Sequence, residues 1–365
     1  MKFICNRDLI LKELELANNF TSQKNTFVIN SNVLLENFQN TLIIKSTDMN
    51  MGFCTSIDVE TLVPGSTTVT CSKLISVLKT LSNQPIIFEN VENKFKISLE
   101  SKPRDIMNLK SINSDNFPTL LEDNTEGFKL SQRDFFDMIN KTSFAASVGT
   151  DKVHLTGMYL HKKDDLLVMV ATDGYKLGVI KKAFEQSIPD FKPCIISVKF
   201  LSSLIQLGEG EGLLTIGISD THIFANINGR TLYSSLIIGN YPIYERFIPL
   251  DNNIICKVKT SEISEVINRA YNFIDKNSKT IYLELSPAGL IVSSENDDYG
   301  DIKNSVDCDY NHSDLTIKFN CNYLINIIKH MDTDYFSFYI NENKNTVILA
   351  PDPERDYKYM LMRIS

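Results

Sequence analysis

One supersecondary pattern is written three times along this chain, at intervals of about 125 residues, so any fold it adopts is assembled from three copies of one unit. The first helical pattern of each third carries its inward positions at Ile10, Leu14 and Ala17, at Phe135, Ile139 and Thr142, and at Ile263, Ile267 and Ala270. The second carries them at Leu74, Leu78 and Leu81, at Phe200, Leu204 and Leu207, and at Leu324, Ile328 and Met331. Between the two helices lies a hairpin that ends in an acidic turn: Thr47-Asp48, Thr172-Asp173 and Ser294-Glu295. Successive offsets are 125 and 128 for the first helix, 126 and 124 for the second, and 125 and 122 for the turns. Markers that keep step in this way predict an α+β protein of three repeated domains, residues 1–122, 127–249 and 250–365, each with two helices packed on β-sheets.

Local signals fill in the unit. A polar residue stands ahead of each first helix (Asn6, Ser131, Ser261), where its side chain can accept hydrogen bonds from the free amides of the first turn. The alternating patterns predict hairpins of 32–38 with 41–47, 156–161 with 166–172, and 280–285 with 290–294. A closing meander follows each second helix: 86–88 with 95–99, 213–218 with 223–227, and 336–340 with 347–349. Linkers fall at 118–127 and 249–253, where pattern gives way to polar and Pro-containing sequence.

At 365 residues, with 43% hydrophobic and 22% charged side chains, the chain has room for three cores of the commonest domain size. No apolar run approaches the ~18–20 residues that cross a bilayer. The N-terminal stretch turns polar at Lys2 and lacks the apolar core of a secretory signal. Both point to a cytoplasmic protein with no membrane partner. The cysteines (5, 54, 71, 194, 256, 308 and 321) stand singly, as free thiols in a reducing compartment do, and not at the spacing of a zinc site. A net charge of −8 counts against gripping nucleic acid by charge, unless the positive side chains are gathered on one surface.

Candidate chemistry is sparse. The most enzyme-like stretch is Ala171-Thr172-Asp173-Gly174-Tyr175, and Asp48 and Glu295 would complete a metal-binding carboxylate set with Asp173. A catalytic acid belongs to one site, whereas these recur once per copy, so a structural turn is the expectation. Gly208-Glu209-Gly210-Glu211-Gly212 is too acidic for a phosphate cradle. The five histidines have no metal spacing, and no nucleophile elbow or dinucleotide fingerprint is present. The chain is expected to be no enzyme and to need neither cofactor nor metal. Basic residues, by contrast, recur on the helices: Arg7, Lys12, Lys73, Arg133, Lys141 and Lys199, the third and last of these 126 residues apart. Presented together they would give a modestly positive surface on an acidic body.

These residues resemble one family along the whole chain: the bacterial DNA polymerase III β subunits, the replicative sliding clamps. The resemblance rests on Met1-Lys2-Phe3, on 46–52 (STDMNMG), on 64–69 (PGSTTV), on Asp115-Asn116-Phe117-Pro118, on Leu155-Thr156-Gly157-Met158, on 171–177 (ATDGYKL), on 239–249 (GNYPIYERFIP) and on Met362-Arg363-Ile364. Each motif is weak alone; their order, spacing and threefold frame are specific. What the resemblance implies is half of a six-domain closed ring. Two subunits would encircle duplex DNA, touch it without reading sequence, and hold DNA polymerase III and clamp-loader subunits by short peptide motifs. It also accounts for the acidic charge, because a topological link needs no strong grip and a strongly basic ring would stick.

By resemblance, the partner-peptide cleft uses Leu155, Thr172, Gly174, Tyr175, Lys176, Leu177, Pro242, Arg246, Phe247, Met360, Leu361, Met362 and Arg363. Apolar and methionine side chains rimmed by cations suit a short apolar peptide. Leu361 stands where the family often has proline, Tyr175-Lys176 replaces a commoner His-Arg pair, and Ser365 adds a terminal residue. Lys24 and Lys152 match basic positions that face DNA in the family, although Gly149 and Val153 replace more polar or aromatic residues beside the latter. Head-to-tail closure is expected between Lys102, Arg104 and Leu109 of the first third and Phe273, Asp297, Asp298 and Asp301 of the last, where opposite charges would fix register. The alternative is a multi-domain peptide-binding scaffold that does not encircle DNA.

Overall fold

A computed structural model describes residues 1–22, 28–149, 151–248, 253–275 and 277–364, without the Val28 side chain. Lys24, Pro249 and Ser365, named above, lie outside the described residues. Among the described residues the α-helices are α1 (Arg7–Asn18), α2 (Cys71–Lys79), α3 (Gln132–Thr142), α4 (Val198–Leu207), α5 (Thr260–Ala270) and α6 (Cys321–Ile328). Every inward position expected of the first helices is buried, from Ile10 and Leu14 through Phe135 and Ile139 to Ile267 and Ala270. The second helices are shorter than expected: α2 stops at Lys79 and α6 at Ile328, so Leu81 and Met331 lie beyond their ends.

The strands are antiparallel, and the expected hairpins form at Asn32–Phe38 with Thr41–Thr47, Gly157–Lys163 with Leu166–Thr172, and Thr280–Ser286 with Gly289–Asn296. Asn6 caps α1 by accepting from the Asp8 amide. Ser261 does not cap α5, which begins one residue earlier at Thr260.

The chain folds into two compact units, Met1–Arg133 with Lys199–Leu236, and Asp134–Val198 with Ile237–Ser365. The middle third is shared between them because sheets run across the ends of the copies. In the first unit, strand Arg230–Ser235 pairs with Met51–Asp58 and extends a 13-stranded sheet. In the second, Tyr357–Met362 pairs with Lys176–Ala183 in a nine-stranded sheet, and a separate four-stranded sheet belongs to the last third.

Each unit is also joined through its helices, with different chemistry. In the first, Asn19 after α1 donates to Gln206 of α4 at 2.9 Å, and Glu13 of α1 accepts a forked pair of hydrogen bonds from Arg230, one of them 2.8 Å. In the second, Phe144 after α3 stacks on His330 after α6 with ring centres 4.2 Å apart. There Lys141 reaches the His330 carbonyl at 2.6 Å, Asp332 at 3.0 Å and the face of Tyr357 at 4.1 Å. Lys141 was expected among the DNA-facing cations. Its side chain is 9% exposed and its ammonium is occupied, so it is a buried tether and leaves that set. Burial works to raise the Asp332 carboxyl, but hydrogen bonds from Tyr357 and Lys141 hold it below its ordinary value.

Candidate functional site

The acidic turns are built as turns. Asp48 Oδ1 accepts from the amides of Asn50 and Met51, while Thr47 Oγ1 accepts from Met49 and donates to the Met51 carbonyl. Asp173 and Thr172 repeat the arrangement on Tyr175, Lys176 and Gly174. In the last third the expected residue is one off: Asn296, not Glu295, accepts from the amides of Asp298 and Tyr299. Ser294 instead matches Ser46, each donating to a helix-end carbonyl, Ala270 and Ala17 respectively. Such side-chain acceptors replace the backbone partners that a tight reversal leaves unmet. Among the described residues no group of three or more His, Cys, Asp or Glu gathers around a metal-sized site.

The distinctive feature is an apolar face of the nine-stranded sheet in the second unit, on which the short helix Tyr244–Phe247 packs. Side chains directly opposite on neighbouring strands share a face and alternate along each strand. One cross-strand row on this face runs Thr172, Leu177, Met360, Ile348 and Tyr339. The next runs Tyr159, Val170, Val179 and Lys358. Val168, Val170, Leu177, Val179, Ile348 and Met360 form one apolar cluster with Tyr244, and Met362 packs at its edge. Connector residues cross this face. Tyr241 stacks on Tyr159 with ring centres 4.8 Å apart, and the Tyr244 hydroxyl meets His161 Nε2 at 3.0 Å. Burial is the main cause that raises both tyrosine hydroxyls and lowers the His161 imidazole.

The expected cleft residues divide on this geometry. Thr172, Leu177, Met360 and Met362 share the outer face, with Pro242 half-buried in the connector and Arg246 and Phe247 exposed on it. Gly174 sits at φ +97° in the turn, which a side chain would strain, and Tyr175 is 60% exposed. Lys176 faces the other way: it bonds Asp173 at 2.6 Å and lies 4.7 Å from the centre of the Tyr323 ring. Leu361, opposite Lys176 across the strands, is fully buried on that inner face. Leu155 is buried at the end of the Val153–Leu155 turn. Arg363 donates to the carbonyls of Asn341, Glu342 and Lys344, and burial holds its guanidinium below its usual value. Sequence reasoning missed Tyr159, Val170, Tyr244, Ile348 and Tyr323. Period-two alternation from Thr172 was the available signal for Val170, and Tyr244 stands two residues from Pro242; Tyr159, Ile348 and Tyr323 lie on other strands or a helix and have no such local signal.

The equivalent face of the first unit holds a cavity of about 600 Å³, lined by Glu36, Lys45, Gly52 and Tyr233, but no apolar row. Gly52 stands where Leu177 does, and a Cβ there would run into the Tyr233 ring. Lys45, at the position of Val170, pairs with Glu36 at 2.6 Å. The apolar row therefore occurs at one of the two places where the repeat would allow it.

Other expected positions are distributed as follows. Lys12, Lys73, Arg133 and Lys152 are exposed and make no ion pair among the described residues. Arg7 pairs with Asp8 at 2.7 Å and Lys199 with Asp48 at 3.0 Å. Lys102 and Arg104 are exposed on strand Lys102–Ile112, which carries Leu109 opposite Phe95. That strand pairs along one side with Lys94–Leu99, and among the described residues its other side is paired only at Ser111 and Ile112. Gly300–Val306 is likewise an edge, paired among the described residues only with Gly289–Asn296. Asp297, Asp298 and Asp301 are exposed at its start, and Phe273 is half-buried in the Tyr271–Phe273 turn.

The elements thus build a triplicated α+β scaffold with one apolar cross-strand row in its second unit. Family models of the DNA polymerase III beta subunit match the chain as N-terminal domain over 1–121, central domain over 129–243 and C-terminal domain over 245–365. The chain belongs to that family, the sliding clamps, and is a non-catalytic processivity subunit of three clamp domains. The beta sliding clamp of Treponema pallidum is 28% identical, with 99% of each chain covered. That of Pseudomonas aeruginosa is 26% identical over 99% of each. The Pseudomonas aeruginosa clamp solved bound to griselimycin superposes with a TM-score of 0.93 at 25% identity, covering 100% of this chain and 99% of that one. The Bartonella birtlesii clamp gives 0.95 at 24% identity, covering 100% and 99%, a likeness of fold.

Proposed function

We propose that two copies of this chain close head to tail around duplex DNA and tether DNA polymerase III, clamp-loader subunits and other partners through short peptides seated on the Leu177–Met360–Met362 face. The domains would divide at 1–122, 127–249 and 250–365, and the protein would act in the cytoplasm, where a bacterial chromosome is copied. The observation that carries ring closure is the pair of unpaired strand edges, Lys102–Lys110 in the first third and Gly300–Val306 in the last. An unpaired edge seeks a partner strand, and these two carry opposite charge at Lys102 and Arg104 against Asp297, Asp298 and Asp301. Leu109 and Phe273 would add apolar contact. Reversing both cations (Lys102→Glu with Arg104→Glu) is expected to raise the dimer dissociation constant at least about tenfold, since like charges across a junction cost a kcal/mol or more. Sedimentation at dilute concentration checks it; an unchanged profile would count against the assignment.

DNA contact is assigned to Arg7, Lys12, Lys24, Lys73, Arg133, Lys152 and Lys199, as phosphate contacts that carry no sequence information. The griselimycin-bound relative supports a ligand-accepting surface on clamps of this fold. Loading onto a nicked circular plasmid tests encirclement. The protein should co-elute with the circle and be lost when one cut linearises it. Equal behaviour on both would leave a peptide-binding scaffold that does not encircle DNA.

A further inference from the structure

Beyond the connector, the outer face of the second unit continues into a cavity of about 790 Å³. Its floor is apolar, with Leu166, Val179, Tyr244 and Ile248, and its first wall is cationic. Lys163 lies opposite Leu166 and Lys181 opposite Val168, so both ammonium groups stand on the cluster's face, beside His161. Both are exposed and form no ion pair among the described residues. The far wall is mixed: Lys358 is paired with Glu354 at 2.8 Å, and Arg355 stands with Asp356 and Glu245.

The two lysines are not remnants of the repeat. The strand register places Phe38 and Ser56 at the same positions in the first copy, and Ser286 and Ser305 in the last. A paired, water-facing lysine would need no explanation, but two unpaired ammonium groups over an apolar floor complement a carboxylate on an apolar chain. Lys181 follows Leu177 by four residues on one strand and the same face, about 13 Å at ~3.3 Å per residue. Tyr244 of the connector packs on Val179 between them, so a peptide anchored at Leu177 would pass over the connector and need at least four residues of its own to reach Lys181.

We infer that this cavity is a second recognition site for the same partner peptides, taking an acidic residue four or more positions from the apolar anchor, with its carboxylate between Lys163 and Lys181. The inference rests on the cleft reading above. Partners would then be ranked by their acidic flank, while the shared apolar anchor gives every partner access. A pocket of several hundred Å³ suits a side chain with its backbone.

The test uses two fluorescein-labelled peptides on the full-length protein, each a Leu-Phe anchor flanked on both sides, four residues away, by Glu-Glu or by Gln-Gln. Anisotropy should show the Glu peptide binding the native protein about tenfold more tightly than the Gln peptide, with a steeper salt dependence. Lys163→Gln with Lys181→Gln should remove that difference and leave the Gln peptide unchanged. Equal affinity of the two peptides for the native protein would overturn the inference while leaving the cleft intact. So would equal weakening of both by the double substitution. Failure of both peptides to bind the native protein would overturn the cleft reading and this one with it.

Discussion

Replacing Glu13 by alanine should destabilise the first unit by roughly 3–5 kcal/mol, the range found when one partner of a buried ion pair is removed. Glu13 and Arg230 are 5% and 12% exposed at their side chains, and the guanidinium fork meets the carboxylate with two hydrogen bonds. Hydrogen bonding to the Glu13 carboxylate is the main reason the Arg230 guanidinium is held even more firmly protonated than usual. An alanine would strand that charge, leaving little beyond the Asn228 carbonyl at 3.4 Å. The damage should be local, because the pair joins α1 to strand Arg230–Ser235, and that strand ties the middle third to Met51–Asp58. Hydrogen exchange should therefore accelerate in Met51–Asp58 and Arg230–Ser235 before it does in Tyr357–Met362. Replacing both partners with apolar residues of similar volume (Glu13→Leu with Arg230→Met) should recover most of the loss, since no charge is then left unpaired. A single-variant loss below about 1 kcal/mol would mean the pair is solvated and exchangeable, as surface pairs are.

The second large effect is expected at the cleft. Met362→Asp should weaken a partner peptide roughly 30- to 1000-fold, the loss of a 2–4 kcal/mol hot spot. Met362 is half-buried at the edge of the apolar cluster, so a carboxylate there faces the peptide and spares the core. The neighbouring substitution Leu361→Asp should behave differently. Leu361 is fully buried on the opposite face, so the change should unfold part of the second unit before affinity has meaning. Anisotropy with a labelled peptide from a DNA polymerase III subunit, paired with circular dichroism, separates the outcomes. Wild-type affinity in Met362→Asp would move the cleft off this face. Acid should also weaken the second unit. Asp332 has its folded-state value depressed, so its contribution is present above the unfolded carboxylate range near ~3.9 and is lost as pH falls below it.

Much of the fold was legible because its signals are local. Asn32–Phe38 and Thr41–Thr47 fall where alternation and turn residues put them, and the helix faces follow their period. The third acidic turn was misread by one residue because Ser294-Glu295 looks like Thr47-Asp48; only the bond from Ser294 to Ala270 reveals that it matches Ser46. Lys141 looked like a solvated helix cation because its partners, His330 and Asp332, are nearly two hundred positions away. Leu361 is a different kind of miss. Alternation alone puts it on the face opposite Met360 and Met362, and the motif resemblance hid that.

The sequence by itself determined the threefold unit, its helices and hairpins, and the family, because period, turn chemistry and motif order act over a few residues at a time. The tertiary structure decided which copy carries the apolar row. Equivalent strands meet different partners at the ends of the copies: Met51–Asp58 meets Arg230–Ser235 and has Tyr233 and a Lys45–Glu36 pair on its face, whereas Lys176–Ala183 meets Tyr357–Met362 and has an apolar row. Those pairings join segments some 180 residues apart. No short-range pattern encodes such a pairing, because burial and complementarity across it exist only once both strands are in place.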